Sequence, residues 1–267
     1  MTRSKILWGL ALAASFVSGC SPDSSNEFQG YIEGEYVFAA SPLSGTLQQL
    51  AVARGDRVET GQWLFQLERR SEADAARQAS NNLSQAQASL ALSEAEYARR
   101  EQLRGDQGVI SAEELDQARA QRDADQAQVE AQAAALAKAN WSFEQKDQFA
   151  PTNAFVQDTL YRVGEWVAAG KPVVELLPPA NLKVRFFVPE TVLANIRPGQ
   201  TVRVTFDGGK NSYSATVNYI STQAEFTPPV IYSQENRAKL VYMIEAKFSP
   251  ADAANLRPGQ PVDVRLK

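Results

Sequence analysis

The sequence holds few of the residue types that proteins use for catalysis or metal binding. It has no histidine and a single cysteine, so it lacks the commonest general base and the usual ligands of zinc and copper. Glu33 and Glu35 are a pair of carboxylates whose spacing could serve the acid and base roles of a hydrolase. Alternate residues of any strand share a face, however, so this spacing is weak support for a reaction. We therefore predict a protein that is not an enzyme, with no catalytic residue, no cofactor and no metal site.

The length and charge of the chain favour a modular protein without a nucleic-acid partner. At 267 residues the chain is longer than one simple domain. Its formal net charge is −4 and its isoelectric point is about 5.2, whereas nucleic-acid-binding proteins present basic surfaces.

Cys20 is the residue with the clearest chemical role, because of what precedes it. Arg3 and Lys5 lead into the apolar segment 6–17, which is short for a permanent membrane span, and Val17-Ser-Gly-Cys20 follows. This order resembles the signal of a bacterial lipoprotein, in which the cysteine is acylated and becomes the mature N-terminus. It predicts a lipoprotein signal peptide over 1–19 and a lipid-anchored tether with the first strand over 20–35. The alternative is an ordinary signal peptide with a coincidental cysteine.

A thirteen-residue pattern occurs twice, 109 positions apart. Gly55 and Gly164 each begin the pattern G-x-x-V-x-x-G-x-x-(L/V)-x-x-L, which is typical of short strands joined by glycine turns. Since the segment between the copies is helical in composition, we predict one β-domain split into halves over 36–69 and 147–178. Four residues of the two copies are expected to share its core: Val58, Leu64, Val167 and Val173.

The segment between the copies, 70–146, predicts a long helical hairpin. Apolar or small residues recur every seven positions, with Arg122 interrupting the series: Ala76, Leu83, Leu90, Tyr97, Leu115, Val129, Leu136 and Phe143. Such a stripe predicts two helices packed as an antiparallel coiled coil. The bend is expected over 104–110, at Gly105 and Gly108, and Ser111 with Glu114 predicts a capping box that opens the return helix. The arm is then ~50 Å long, at 1.5 Å per residue. A helical bundle within a globular core is the alternative.

The last third of the chain, 179–267, predicts a small β-barrel. From Leu182 onward apolar residues alternate with polar ones, which is typical of half-buried strands. A second repeat lies here, because Arg197-Pro-Gly-Gln and Arg257-Pro-Gly-Gln each form a tight turn before a strand. A closed or nearly closed barrel buries such strands without leaving long edges.

The lipoprotein signal, the split glycine pattern, the coiled-coil arm and the R-P-G-Q strands together resemble the HlyD-type membrane fusion proteins, the periplasmic adaptors of tripartite efflux and secretion systems. The resemblance covers about Tyr36 to Arg265 and implies a mixed α and β, modular fold. That fold is a lipoyl-like β-sandwich split by an antiparallel coiled-coil α-hairpin and followed by a small β-barrel. Lipoyl carriers hold a modified lysine at the turn between the halves. The arm occupies that place here, so the resemblance implies the carrier fold without its cofactor.

The same resemblance implies a function and partners. The protein is expected to link an inner-membrane exporter to a TolC-like outer-membrane channel, as a homo-oligomer forming a hexameric ring. It is expected in the periplasm, held at the inner-membrane bilayer by its acyl anchor. The short arm and the chain's ending after a barrel strand favour an ABC-type partner. An RND-type pump and a free-standing periplasmic binding lipoprotein are the alternatives, and sorting to the outer membrane stays open.

The resemblance also implies which residues contact the channel. Adaptors that dock on TolC-like channels carry an arginine at the arm's tip, a leucine one turn later and a serine that opens the second helix. Here Leu103 and Ser111 fit the last two roles, and either Arg99 or Arg100 fits the first. The distance from Leu103 to Ser111 is one residue longer than in the usual pattern. Ser111 as a cap alone, with solvated arginines, is the alternative.

Overall fold

A computed structural model describes residues 27–107, 110–206, 212–226 and 240–266. Cys20 and the predicted signal peptide lie outside the described residues, as does Gly108. The chain divides into two compact units, one formed by 34–182 and the other by the segments up to 33 and from 183 onward. Each unit is built from residues that are distant in sequence.

The unit 34–182 contains a β-sandwich of eight strands. They are β2 (Val37–Ala40), β3 (Gly45–Leu50), β4 (Arg57–Val58), β5 (Trp63–Leu67), β6 (Asp147–Phe149), β7 (Ala154–Thr159), β8 (Trp166–Val167) and β9 (Pro172–Leu177). One sheet has the order β2-β9-β7-β4 and the other β6-β5-β3-β8, so both sheets mix strands from before and after the arm. The four predicted core residues lie in a single buried cluster: Val58, Leu64, Val167 and Val173. The prediction of one domain split by the arm is confirmed.

The two copies of the glycine pattern have equivalent backbones. Leu47 pairs with Leu67 in one sheet, and Val156 pairs with Leu176 in the other, at positions 109 residues later. The irregularities that follow these pairs also match. Gly55 and Gly164 both have φ of 95°, a left-handed conformation that favours glycine. The sandwich therefore has an internal pseudo-twofold relation that exchanges its two sheets.

The arm is an antiparallel pair of helices, α1 (Arg70–Gln107) and α2 (Ala112–Glu144). At 1.5 Å per residue they are about 57 and 50 Å long. All the predicted stripe residues are half-buried, and Ala86, Ser93 and Ala118 are buried between the helices. Arg122 does not break the stripe, because its guanidinium lies 4.6 Å from the ring centroid of Tyr97.

The position of the bend differs from the prediction. Helix α1 continues through Gly105 to Gln107, whereas the sequence predicted a break from Arg104 onward. A glycine inside a helix costs about 1 kcal/mol, which a long packed helix tolerates. The predicted capping box is confirmed, since Glu114 N donates to Ser111 Oγ at 3.1 Å and Ser111 N donates to Glu114 Oε2 at 3.0 Å.

The second unit contains a closed barrel with the strand order β1-β10-β13-β12-β11-β14. These strands are β1 (Glu27–Gly34), β10 (Leu182–Pro189), β11 (Thr201–Thr205), β12 (Ser212–Phe226), β13 (Leu240–Phe248) and β14 (Pro261–Leu266). The short helices α3 (Glu190–Leu193) and α4 (Pro250–Ala253) precede the two R-P-G-Q turns, and a 3-10 turn (Pro179–Asn181) precedes β10. The barrel core includes Ile32, Phe186 and Ile244, each fully buried. With the split sandwich and the hairpin, this barrel confirms the predicted fold class.

The two R-P-G-Q turns are held in the same way by different strands. Gly199 N donates to Val217 O of β12 and Gly259 N donates to Ile32 O of β1, both at 2.8 Å. Strand β1, from the start of the described chain, thus takes the place that β12 takes in the first turn. The barrel, like the sandwich, contains two equivalent halves.

Candidate functional site

The tip of the arm consists of the last turns of α1 and the first turn of α2. Helix α1 carries Arg99, Arg100 and Leu103, and Ser111 immediately precedes α2. Arg100 Nη1 donates to Glu114 O at 3.3 Å, which joins the end of one helix to the start of the other. The four residues predicted to contact a channel therefore lie at the same end of the hairpin.

The structure distinguishes the two arginines that the sequence left interchangeable. Arg100 is half-buried, and its guanidinium is engaged by the carbonyl of Glu114. Arg99 is exposed and has no hydrogen bond or ion pair to any residue in the described ranges. It lies one helical turn before Leu103, which is half-buried. Arg99 is thus the arginine whose five donors are available to a partner. Arg100 instead connects the two helices at the tip.

Ser111 has a structural task that limits its availability. Its hydroxyl accepts from Glu114 N and donates to Glu114 Oε2, each at 3.1 Å. The backbone N–H and the hydroxyl of Ser111, both donating to Glu114, hold the pKa of that carboxyl below its usual range. The capping role of Ser111 is therefore established by geometry, whereas a contact with a channel stays a prediction.

Glu33, one of the two carboxylates whose spacing could serve a hydrolase, is held by basic side chains. Glu33 Oε2 lies 2.7 Å from Arg185 Nη2 and 3.8 Å from Lys183 Nζ in the barrel unit. No cluster of His, Cys, Asp or Glu suited to a metal ion occurs within the described ranges.

Sequence reasoning missed the ion-pair network to which Glu33 belongs. Lys183 Nζ lies 2.8 Å from Glu245 Oε2, and Arg185 Nη2 lies 2.7 Å from Glu245 Oε1. Burial acts to raise the pKa of Glu245, but the hydrogen bonds from Lys183 and Arg185 outweigh it and lower that pKa. A signal was present, because Arg185 and Glu245 stand 60 positions apart, the spacing of the R-P-G-Q repeat. They face each other across β10 and β13.

The arm and the whole chain are similar to known proteins. Residues 75–145 match the family described as RND MFP, alpha-helical hairpin domain. A UPF0194 membrane protein of Yersinia enterocolitica is 28% identical to the chain, over 100% of this chain and 99% of its own length. None of the helices in the described part of this chain is long and apolar enough to cross a membrane.

Two solved structures share the architecture. MacA from Actinobacillus actinomycetemcomitans has a TM-score of 0.68 and 16% identity, over 91% of this chain and 79% of its own. The membrane fusion protein Spr0693 from Streptococcus pneumoniae R6 has a TM-score of 0.65 and 21% identity, over 90% of this chain and 98% of its own. The fold and the matched hairpin are those of the membrane fusion proteins, so the predicted resemblance is confirmed at this level. The HlyD-type subfamily stays a prediction.

Proposed function

We propose that this protein is a non-enzymatic periplasmic adaptor that links an inner-membrane exporter, of ABC type, to a TolC-like outer-membrane channel. The observation that carries the proposal is the arm, a pair of helices about 50 Å long. Its tip presents the exposed Arg99, which has no hydrogen-bond or ion-pair partner among the residues that the structure describes. The match of residues 75–145 to the hairpin domain of membrane fusion proteins supports it.

The rest of the assembly follows from the HlyD-type resemblance. The protein is anchored to the inner membrane through acylated Cys20, where about 0.8 kcal/mol per buried methylene makes two or more acyl chains a stable anchor. Copies of the chain form a hexameric ring. Within that resemblance, a short arm favours the ABC-type partner.

An RND-type pump is the second candidate partner. The description of the family that the hairpin matches names this class of membrane fusion protein. Co-purification of the full chain from membranes in mild detergent, followed by mass spectrometry, separates the candidates. A transporter with nucleotide-binding domains supports the ABC partner, an RND pump supports the second candidate, and isolation of the chain alone contradicts both.

Variants at the tip test the docking role in the full, membrane-anchored protein. We expect Arg99→Asp and Leu103→Asp each to reduce chemical cross-linking to the outer-membrane channel by about 10-fold or more, because few residues dominate an interface. Arg100→Lys is the matched control, since lysine can still donate to the Glu114 carbonyl and keeps the charge. Undiminished cross-linking by folded Leu103→Asp removes the channel from the proposal.

The control at Ser111 has to preserve the cap. Aspartate usually caps helices well, but at this position its carboxylate would lie beside that of Glu114, to which Ser111 now donates. Ser111→Thr retains both hydrogen bonds. Loss of cross-linking in Ser111→Thr with unchanged helix content would show that the serine also contacts the channel.

A further inference from the structure

The root of the arm contains a lysine that is almost completely buried. Lys146 follows α2 and precedes β6, and it is 4% exposed. Its ammonium donates to Ser44 O at 2.7 Å and lies 3.0 Å from Glu72 Oε1 in the first turn of α1. One charged group therefore connects the end of one helix, the start of the other and the segment that leads into β3.

Other contacts join the same elements. Ser41 Oγ donates to the carbonyl of Gln145, the residue that ends α2, at 2.8 Å. Arg69 forms an ion pair with Asp147, and its guanidinium lies 4.4 Å from the ring centroid of Phe143. Hydrogen bonds and ion pairs, which are directional interactions, thus attach the start of α1 and the end of α2 to the sandwich.

Each of these residues can be compared with the residue at the equivalent position of the other half. Where the two differ, the root residue is not required by the backbone of the sandwich. The position equivalent to Lys146 is Val37. Val37 pairs with Leu176 in one sheet, and Lys146 O accepts a hydrogen bond from the N–H of Leu67, the residue equivalent to Leu176, in the other. Ser41 is equivalent to Ala150, since Gly170 N donates to Ser41 O and Gly61 N donates to Ala150 O.

Gly45 is the third departure from the twofold relation. Its equivalent is Ala154, as the pairings of both residues with the valines of β8 and β4 show. A methyl group on Gly45 would lie 3.1 Å from Lys146 Nζ. The missing side chain therefore leaves room for the ammonium. At the equivalent site, where no arm is attached, the same backbone holds valine and alanine.

We propose that Lys146, with Glu72, is a positioning device that fixes the direction of the arm relative to the sandwich. The direction matters because the arm is a lever: with a length of about 50 Å, a tilt of about 10° at the root moves the tip by about 9 Å. Such a movement is larger than the distance over which a hydrogen bond to a partner can form. The consequence for docking rests on the proposed adaptor function, whereas the positioning role of Lys146 and Glu72 does not.

The test begins with the variant that gives position 146 the residue found at its equivalent position, Val37. Lys146→Val alone leaves the half-buried Glu72 without its partner, and we expect the thermal midpoint to fall by about 6 °C or more. Lys146→Val combined with Glu72→Ala removes both charges, so the midpoint is expected to return to within about 3 °C of the original. Tryptophan fluorescence reports this midpoint, because Trp63, Trp141 and Trp166 all lie in the unit 34–182.

Distances between spin labels show whether the arm has lost its direction. Labels on non-natural side chains at the exposed positions Glu59 and Ser89 span the sandwich and the arm, and labels at Ser89 and Gln121 lie within the arm. We expect the double variant to broaden the first distribution at least twofold and to leave the second unchanged. Lys138→Val, at an exposed position of α2, is the matched control and is expected to change neither distribution.

An unchanged distribution between sandwich and arm in the double variant overturns the proposal. Broadening of both distributions also overturns it, since it would show a general loss of structure. The adaptor function is tested separately. Full cross-linking by Leu103→Asp would contradict the proposed channel partner, whereas the measured distances would still test the positioning role of Lys146 and Glu72.

Discussion

The strands before the arm and the strands after it have the same backbone but different surfaces. In both halves a left-handed glycine begins a turn whose N–H donates to the opposite half, from Gly55 to Val156 O and from Gly164 to Leu47 O, at 2.8 Å. In the first half the turn carries Arg54 and Arg57. At the equivalent positions of the second half Val163 and Trp166 are 60% and 65% exposed. The fold therefore constrains the glycines and the buried residues, and leaves the outward positions free to differ.

The arm adds a second difference between the halves. Polar or small residues, Ser41, Gly45 and Lys146, stand at the root where the equivalents are Ala150, Ala154 and Val37. A duplicated fold thus provides its own reference: residues that match between the halves serve the sandwich, and residues that differ are candidates for serving the arm or a partner.

The largest predicted effect tests the equivalence of the two cores. Leu67 and Leu176 are equivalent and fully buried, so Leu67→Ala and Leu176→Ala are each expected to lower the free energy of unfolding by about 2–5 kcal/mol. Denaturant unfolding followed by tryptophan fluorescence measures both. Costs that differ by more than about 2 kcal/mol would mean that the halves are equivalent in backbone and not in packing.

A smaller effect extends the comparison to the barrel, where the equivalent positions carry the opposite charges of Arg185 and Glu245. Glu245→Gln is expected to destabilise the barrel at pH 7 by about 1–3 kcal/mol, because two cations lose a charged acceptor. The lowered pKa of Glu245 gives stability that is complete above the unfolded value of about 4.3 and is lost as pH falls through the lower folded pKa.

The pH dependence therefore has a defined sign. The difference between the original protein and Glu245→Gln is expected to shrink as the pH falls below about 4. Hydrogen exchange of the β10 and β13 amides measures it, since the tryptophans of the described ranges lie in the other unit. A difference that is constant between pH 7 and pH 3 would rule out the charge of Glu245 as its cause.

The turn glycines are expected to give a matched pair of intermediate effects. Gly55→Ala and Gly164→Ala place a side chain at φ of 95°, and nothing lies within 4 Å of the added methyl group in either case. The cost is then backbone strain alone, about 1–2 kcal/mol at each position. Thermal unfolding of both variants checks this, and unequal losses would show that one turn is held more tightly than the other.

The smallest expected effect concerns the outward residues of the turns. Val163→Arg combined with Trp166→Arg gives the second turn the residues of the first, and we expect stability to change by at most about 0.5 kcal/mol. Chemical denaturation followed by circular dichroism is the measurement. A large loss would mean that these exposed side chains contribute to the fold of the chain.

The features that could be predicted from the sequence are those that depend on local patterns. The period of seven in the arm, the period of two in the barrel and the glycine turns each depend on neighbours within a few residues, so they are legible along the chain. The capping box of Ser111 and Glu114 belongs to the same class. The duplicated pattern also allowed the split domain to be predicted, because two copies with one geometry fit one sandwich.

Long-range pairing decided the rest. The sequence alone determined that the arm has a tip with two arginines, but only the contact of Arg100 with the Glu114 carbonyl left Arg99 available. Nothing near Lys146 in the sequence indicates that it is buried, because its partners are Ser44 and Glu72, 102 and 74 residues away. The energy of a buried charge depends on which groups surround it in space, and that arrangement exists only once the strands and helices have packed.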